Sequence, residues 1–411
     1  MKTINLLIFI KKSIGEMNYI IPIIDKLNLN KSNKTKIYFI FRSKNVYKKI
    51  ISSIPYYDKY MKKNGLILMG DWSKVNLFIK ALFGQKKIII FTCLTGPGIF
   101  ESLIHITSKK TKIVYFPHSF GFHSTPNSIR VKRYSKIYNY NSSVLVPYKK
   151  SFKFFSNIGF LNKNIIYTGV PCFEDNWLNK ITKNQIKKKE KLKVFVALRS
   201  VHKKVLTSKN YEYLWNSLIK IFNNYKNYNF ILKLHPRQKE DININKLLKQ
   251  YKNIHLSNKS TFEIAKFSDL TISFWSSAII ESLAVGTPVL EFHKFHQNHP
   301  ELTIKNGKFI SMFQKYKLCK SFDDYNELKN FLHKINKKNL IILREKQLNS
   351  FNKIYKLENN NNNLISSYND IIKKLNLRKV FDVERYKSIR LLTKNIFLLI
   401  PYKLSFFFKE R

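Results

Sequence analysis

Cysteine is scarce: Cys93, Cys172 and Cys319 are the three in 411 residues, odd in number and far apart. That spacing supports neither a disulfide framework nor a closed metal site, and points to reduced, buried thiols in a cytosolic chain. Long apolar runs are missing too. The first, NLLIFI at 5–10, meets Lys11 and Lys12 too early for a signal core, and nothing reaches the ~18 residues of a membrane span. Acidic residues are few: 25 Asp and Glu stand against 75 Lys and Arg, for a formal charge of +50. Arg, the preferred base-reading residue, contributes little of that excess. No helix-turn-helix, zinc-finger or RNA-binding pattern accompanies it, so nucleic acid is not the expected partner. Lys spread evenly beside abundant Asn and Ile reads as compositional bias on a solvated surface. The charge still favours polyanionic substrates and anionic membrane surfaces. Apolar residues are plentiful at 44%, enough for sizeable cores, and the length favours two domains.

Short apolar runs alternate with helical stretches. NLLIFI, KIYFIF (36–41), LILMG (66–70), KIIIFT (87–92) and KIVYFP (112–117) are continuous Ile, Val and Phe runs, as in parallel strands buried on both faces. A Lys-rich stretch at 179–193 reads as a linker. The alternation then resumes with KVFVALRS (193–200), YNFILKLHP (228–236), NIHLS (253–257), LTISFWSS (270–277) and TPVLEF (287–292). The expected class is α/β, with two Rossmann-like parallel-sheet domains facing across a cleft and a C-terminal helical tail. The boundaries read as 1–178, linker 179–193, 194–338 and tail 339–411. That tail contains an Asn run at 359–363 and ends in IFLLIPYKLSFFFKER (396–411). It suits a helix packed on the N-terminal domain, or a peripheral anchor on an anionic membrane.

Three segments carry chemistry. In Lys233-Leu234-His235-Pro236-Arg237, Pro236 stops a strand, leaving His235 at the sheet's carboxyl edge beside two cations that suit a phosphate. In Ser273-Phe274-Trp275-Ser276-Ser277-Ala278-Ile279-Ile280-Glu281, a strand runs straight into a helix. Hydroxyls and free backbone N–H groups there suit a phosphate, and Glu281, one turn on, suits ribose hydroxyls. A capping box of Ser277 with Glu281 is the structural alternative. Gly286-Thr287-Pro288 then closes the helix and starts the next strand. Arg199-Ser200, ending an earlier strand, is a further phosphate candidate. The histidines of HKFHQNH (293–299) lack metal-site spacing and read as a polar loop.

In this order the segments resemble the donor-binding domain of GT-B glycosyltransferases of bacterial surface polysaccharides. The group with HP and SS motifs includes capsule polymerases, Kdo- and sialic-acid-type transferases and CDP-glycerol glycerophosphotransferases. The resemblance implies that His235, Ser276 and Ser277 bind nucleotide phosphates and Glu281 the ribose. Ile165-Ile166-Tyr167-Thr168-Gly169-Val170-Pro171 resembles the segment that ends the N-terminal domain in that group. Phe116-Pro117-His118-Ser119-Phe120-Gly121 lies where relatives carry a His-Gly pair, which offers His118, or nearby His123, as general base on an acceptor hydroxyl. Glu16, after Gly15, is a second candidate base, although the sialyltransferase-like members pair two acids there.

The expected activity is sugar transfer from a CMP-, CDP- or UDP-linked donor to a surface glycan or lipid-linked glycan, without metal or other cofactor. The expected location is cytoplasmic or peripheral at the inner membrane face. Three alternatives stand beside it. A CDP-glycerol-type glycerophosphotransferase matches the HP and SS elements equally well. A non-hydrolysing UDP-N-acetylglucosamine 2-epimerase shares the fold but carries Gly-Gly after the serine and paired glutamates, where this chain has Ser277-Ala278 and a single Glu281. The third is a basic nucleic-acid- or membrane-binding protein without enzymatic activity.

Overall fold

The computed structural model describes residues 4–11, 14–26, 35–69, 76–77, 87–94, 101, 104, 111–117, 142–148, 151–182, 191–201, 206–235, 238, 242–295, 302–305 and 307–355. Two compact units emerge, one built largely on residues up to Pro171, the other on Cys172–Glu358.

In the first unit, β1 (Ile4–Ile10), β2 (Thr35–Phe41), β3 (Leu66–Leu68), β4 (Lys87–Cys93), β5 (Thr111–Phe116), β6 (Ser143–Val146) and β7 (Ile165–Tyr167) form one sheet. All pairings are parallel, in the order β3-β2-β1-β4-β5-β6-β7. The central strands explain the unbroken apolar runs: Leu6 to Ile10 and Ile88 to Phe91 are all buried, because a parallel sheet is covered on both faces. Edge strand β3 leaves Leu66 exposed. Thr168, just after β7, ties this edge to the helix Ile14–Lys26 through a 2.6 Å hydrogen bond with Tyr19.

The second unit holds β8 (Lys193–Ala197), β9 (Asn229–Lys233), β10 (Ile254–Leu256), β11 (Leu270–Ser273), β12 (Val289–Phe292), the antiparallel pair β13 (Thr303–Lys305) and β14 (Lys308–Ile310), and β15 (Lys320–Phe322). Six of them pair in parallel in the order β10-β9-β8-β11-β12-β15. Numbered within this sheet the order is 3-2-1-4-5-6, the doubly wound order, with its crossover point between β8 and β11. Asp324 caps the helix Tyr325–His333 by accepting from the N–H groups of Asn326 and Glu327.

The changeover at Pro171–Cys172 comes before the Lys-rich stretch read as a linker. That stretch begins inside the helix Asp175–Ile181, whose Trp177, Leu178 and Ile181 are buried, and it ends in β8. Residues 183–190 lie outside the described residues. Lys266 of the second unit donates to Thr182 and Asn179, fixing the end of that helix. The tail also starts differently from its reading. Residues 339–355 continue the helix Lys337–Tyr355, which belongs to the second unit and not to the N-terminal one. The cause is specific. Buried Gln347 donates to Val289 O at 2.7 Å and accepts from Val289 N at 2.8 Å, serving β12 as a strand neighbour would. Phe351 and Tyr355 pack on Phe173. The segments 359–363 and 396–411 lie outside the described residues, among which no helix is long and apolar enough to cross a membrane.

The helix Ala278–Ala284 ends as the Gly-Thr-Pro signal predicts. Gly286 has φ +81, its N–H donates to Leu283 O, and Thr287 N donates to Ser282 O, a Schellman closure. A Cβ at Gly286 would also sit 3.1 Å from the Arg344 guanidinium. Gly286→Ala is expected to cost about 1–2 kcal/mol, from the left-handed backbone alone. The shift of the urea midpoint measures it.

Candidate active site at the carboxyl edge of the second sheet

Register builds this site. Lys233 on β9, Ala197 on β8 and Ser273 on β11 are aligned partners. Two residues past each lie His235, Arg199 and Trp275, so three neighbouring strands deliver them to one level of the sheet edge, about 4.8 Å apart from strand to strand. This edge holds the crossover point, where open α/β sheets bind ligands.

The side chains engage one another. Arg199 Nη1 donates to Trp275 O at 2.6 Å, and its guanidinium lies 4.3 Å from the Trp275 ring centroid. Trp275 has φ +55, a left-handed conformation that is strained for a bulky residue. Arg199 therefore braces a strained strand-to-helix turn. Ser200 Oγ and His235 Nδ1 are hydrogen-bonded at 3.2 Å, orienting the imidazole. Beyond the turn, Ser276 Oγ meets Ser273 Oγ at 3.0 Å and accepts from Ala278 N at 3.3 Å. Ser276 thus supplies the cap, while Ser277, at the N-cap position, makes no side-chain cap bond.

The Ser277–Glu281 capping box does not form. Ser277 Oγ instead donates to Glu281 Oε1 at 3.5 Å, and Thr261 donates to the same carboxyl. Burial pushes the Glu281 carboxyl up to about 7 from 4.5, against lowering by Thr261, the Lys233 charge and Ser277. Lys233 Nζ itself donates to Lys259 O. Burial, with the Glu281 charge next in importance, pushes the Cys172 thiol up. Pro236 and Arg237 lie outside the described residues.

A small pocket adjoins the brace, with Phe274, Trp275, Phe295, Leu206 and Leu214 among its walls. His293, read as part of a polar loop, is buried and stacks on Phe295 at 3.7 Å. Residues 296–299 lie outside the described residues.

Glu291 on β12 is a second perturbed carboxyl. Its Oε2 accepts from Ser311 and Ser321, each at 2.8 Å, with Cys319 Sγ at 3.7 Å. Burial pushes it up to about 7 despite those donors. The folded chain thus keeps a proton up to about pH 7 that the unfolded chain releases near 4.5. Stability from this group falls as pH rises through that window. Glu291→Gln should match wild type near pH 5 and exceed it at pH 8 by up to ~3 kcal/mol. Urea denaturation at the two pH values checks this.

Of the candidates in the first unit, Glu16 is fully buried and accepts from Lys11 N at 2.7 Å. His118 and His123 lie outside the described residues. Ser273, Trp275 and Thr261 join the second-sheet site without having been assigned a role in it, whereas Ser200 belonged to the Arg199-Ser200 candidate.

No family model matches the chain, and no curated protein matches it. Solved structures are similar. S. aureus MnaA, in a co-structure with UDP, is 10% identical with a TM-score of 0.58, over 92% of this chain and 98% of that one. UDP-GlcNAc 2-epimerase from Neisseria meningitidis, bound to UDP-GlcNAc, is 14% identical with a TM-score of 0.52, over 91% and 99%. Anabaena HepE in complex with UDP-glucose is 9% identical with a TM-score of 0.51, over 90% and 99%. At these identities the likeness establishes the fold. The chain has two Rossmann-like parallel-sheet domains of the GT-B type, as in UDP-GlcNAc 2-epimerases.

Proposed function

We propose that the chain is an enzyme acting on a nucleotide sugar, with the nucleoside diphosphate held at the carboxyl edge of β9, β8 and β11. The observation that carries this reading is the register that aligns His235, Arg199 and the Trp275–Ser276–Ser277 turn at the crossover point. His235, oriented by Ser200, and the hydroxyls of Ser276 and Ser277 serve the phosphates. Glu281 serves the ribose hydroxyls. The counter-charge comes from side chains, with no metal in the scheme. The binding of UDP or UDP-sugars by three proteins of the same fold supports this class of ligand.

Two finer readings divide the chemistry. Epimerisation at the sugar of UDP-N-acetylglucosamine has the stronger support, because the fold likeness to such epimerases runs nearly end to end in both chains. Transfer to a surface glycan, with 396–411 as a peripheral membrane contact, is favoured by Ser276-Ser277-Ala278 and the single Glu281. Incubation with UDP-N-acetylglucosamine alone separates them. Epimerisation yields the isomeric UDP-sugar without acceptor, whereas transfer releases UDP only when a glycan acceptor is added.

A further inference from the structure

Between β12 and β15 the chain carries the hairpin of β13 and β14, whose strands pair only with each other among the described residues. Its foot is fixed. Ile310 and Ser311 are buried, and Ser311 Oγ donates to Glu291 Oε2 at 2.8 Å. Its tip is open: Gly307 has φ +72, and a Cβ built there would meet no atom within 4 Å. Side chains alternate between the faces of a strand, and residues directly opposite one another share a face. Lys305 lies opposite Lys308, on the face of buried Ile310. Ile304 lies opposite Phe309 on the other face, and these two are 71% and 40% exposed.

A lone hairpin is marginal in water, and this one carries two further costs. Like charges directly opposite destabilise, and neither Lys305 nor Lys308 has an ion-pair partner among the described residues. The Ile–Phe pair leaves apolar area in water. Lysines alone would be explained as protection of an open strand edge. The apolar pair is not, since it invites the association that lysines discourage. Charge then selects the partner. From Leu302 to Phe322 there are five lysines and no Asp or Glu, and Lys305, Lys308, Lys315, Lys317 and Lys320 are all exposed. The complementary surface is therefore anionic, with an apolar layer beneath its charge. An anionic bilayer has both, phosphates at headgroup level and acyl chains just below. Long lysine side chains from the far face reach back to those phosphates. Nucleic acid offers the charge without the apolar layer.

We infer that this hairpin is a contact surface for an anionic lipid bilayer, with Ile304 and Phe309 entering the acyl boundary and Lys305 and Lys308 held at the phosphates. It is distinct from 396–411 and does not depend on the nucleotide-sugar reading. The three native cysteines are buried, so Ile304→Cys in the full chain takes a single polarity-sensitive fluorophore. With vesicles of equal parts phosphatidylglycerol and phosphatidylcholine, its emission should brighten and shift to the blue. Phosphatidylcholine alone should leave it unchanged. In cosedimentation with the anionic vesicles, Ile304→Asp should bind about tenfold more weakly. Lys305→Ala and Lys308→Ala should each bind about fivefold more weakly. All three variants should melt as wild type in buffer, because the substituted side chains are exposed. A fluorophore that stays in water while the chain sediments with the vesicles overturns the inference, because another segment then holds the membrane. Weaker binding in the lysine variants with Ile304→Asp unaffected overturns it too, being the pattern of a purely electrostatic polyanion contact. So does failure of the wild type to bind the anionic vesicles.

Discussion

His235→Ala is expected to weaken UDP binding by about 10–150-fold, the range for losing one hydrogen bond to a charged group. Titration calorimetry of the two proteins measures it. The imidazole follows β9, level with Arg199 and Trp275, and the bond to Ser200 fixes its ring. Removing it leaves a half-buried Ser200 hydroxyl that water can satisfy, so the unliganded protein should keep its melting temperature. Loss of affinity with retained stability is the signature of a binding group. The reverse pattern, lower stability with unchanged affinity, would mean that His235 only finishes the strand.

Phe351→Ala should destabilise the second unit by about 3–5 kcal/mol, the range for truncating a fully buried Phe. Its ring is fully buried and lies 5.6 Å from Phe173 and 4.9 Å from Tyr355, centroid to centroid. Phe173 in turn touches Phe262, which precedes the buried Glu263 on the helix Thr261–Lys266. The cluster thus joins three separated stretches: the chain just after Pro171, that helix, and the helix Lys337–Tyr355. Because the chain has two units, the loss should be read in urea with a probe in each, and two-state treatment of the whole chain avoided. A midpoint change equivalent to less than about 1 kcal/mol would show that the cluster contributes little to the unit's cohesion.

The strands that anchor both sheets were legible because burial on two faces writes itself as unbroken apolar sequence. NLLIFI and KIIIFT could hardly be anything else. Short elements carried no such signature: β15 is Lys-Ser-Phe, and β13 with β14 spans only a few residues around Lys305 and Lys308. Their pairing depends on tertiary neighbours, not on local pattern. That residues 339–355 continue a helix of the second unit was hidden for a similar reason. Gln347 gives no hint in sequence that it will serve Val289 as a strand partner 58 residues away.

The candidate site divides in the same way. His235, Ser276, Ser277 and Glu281 stood out because a strand end or a strand-to-helix turn marks a position at a sheet edge. The Arg199–Trp275 brace was hidden, since nothing local announces a tryptophan with φ +55 or the partner 76 residues away that holds it.

The most direct test of the second-sheet site is the melting temperature of the full chain with UDP, CDP or CMP. A nucleotide present at a hundred times its dissociation constant stabilises by about 2.7 kcal/mol, a readily measured rise. That rise should appear for at least one of the three in wild type and shrink in His235→Ala. No rise with any of them, at millimolar concentration, would contradict a nucleotide site at the carboxyl edge of β9, β8 and β11.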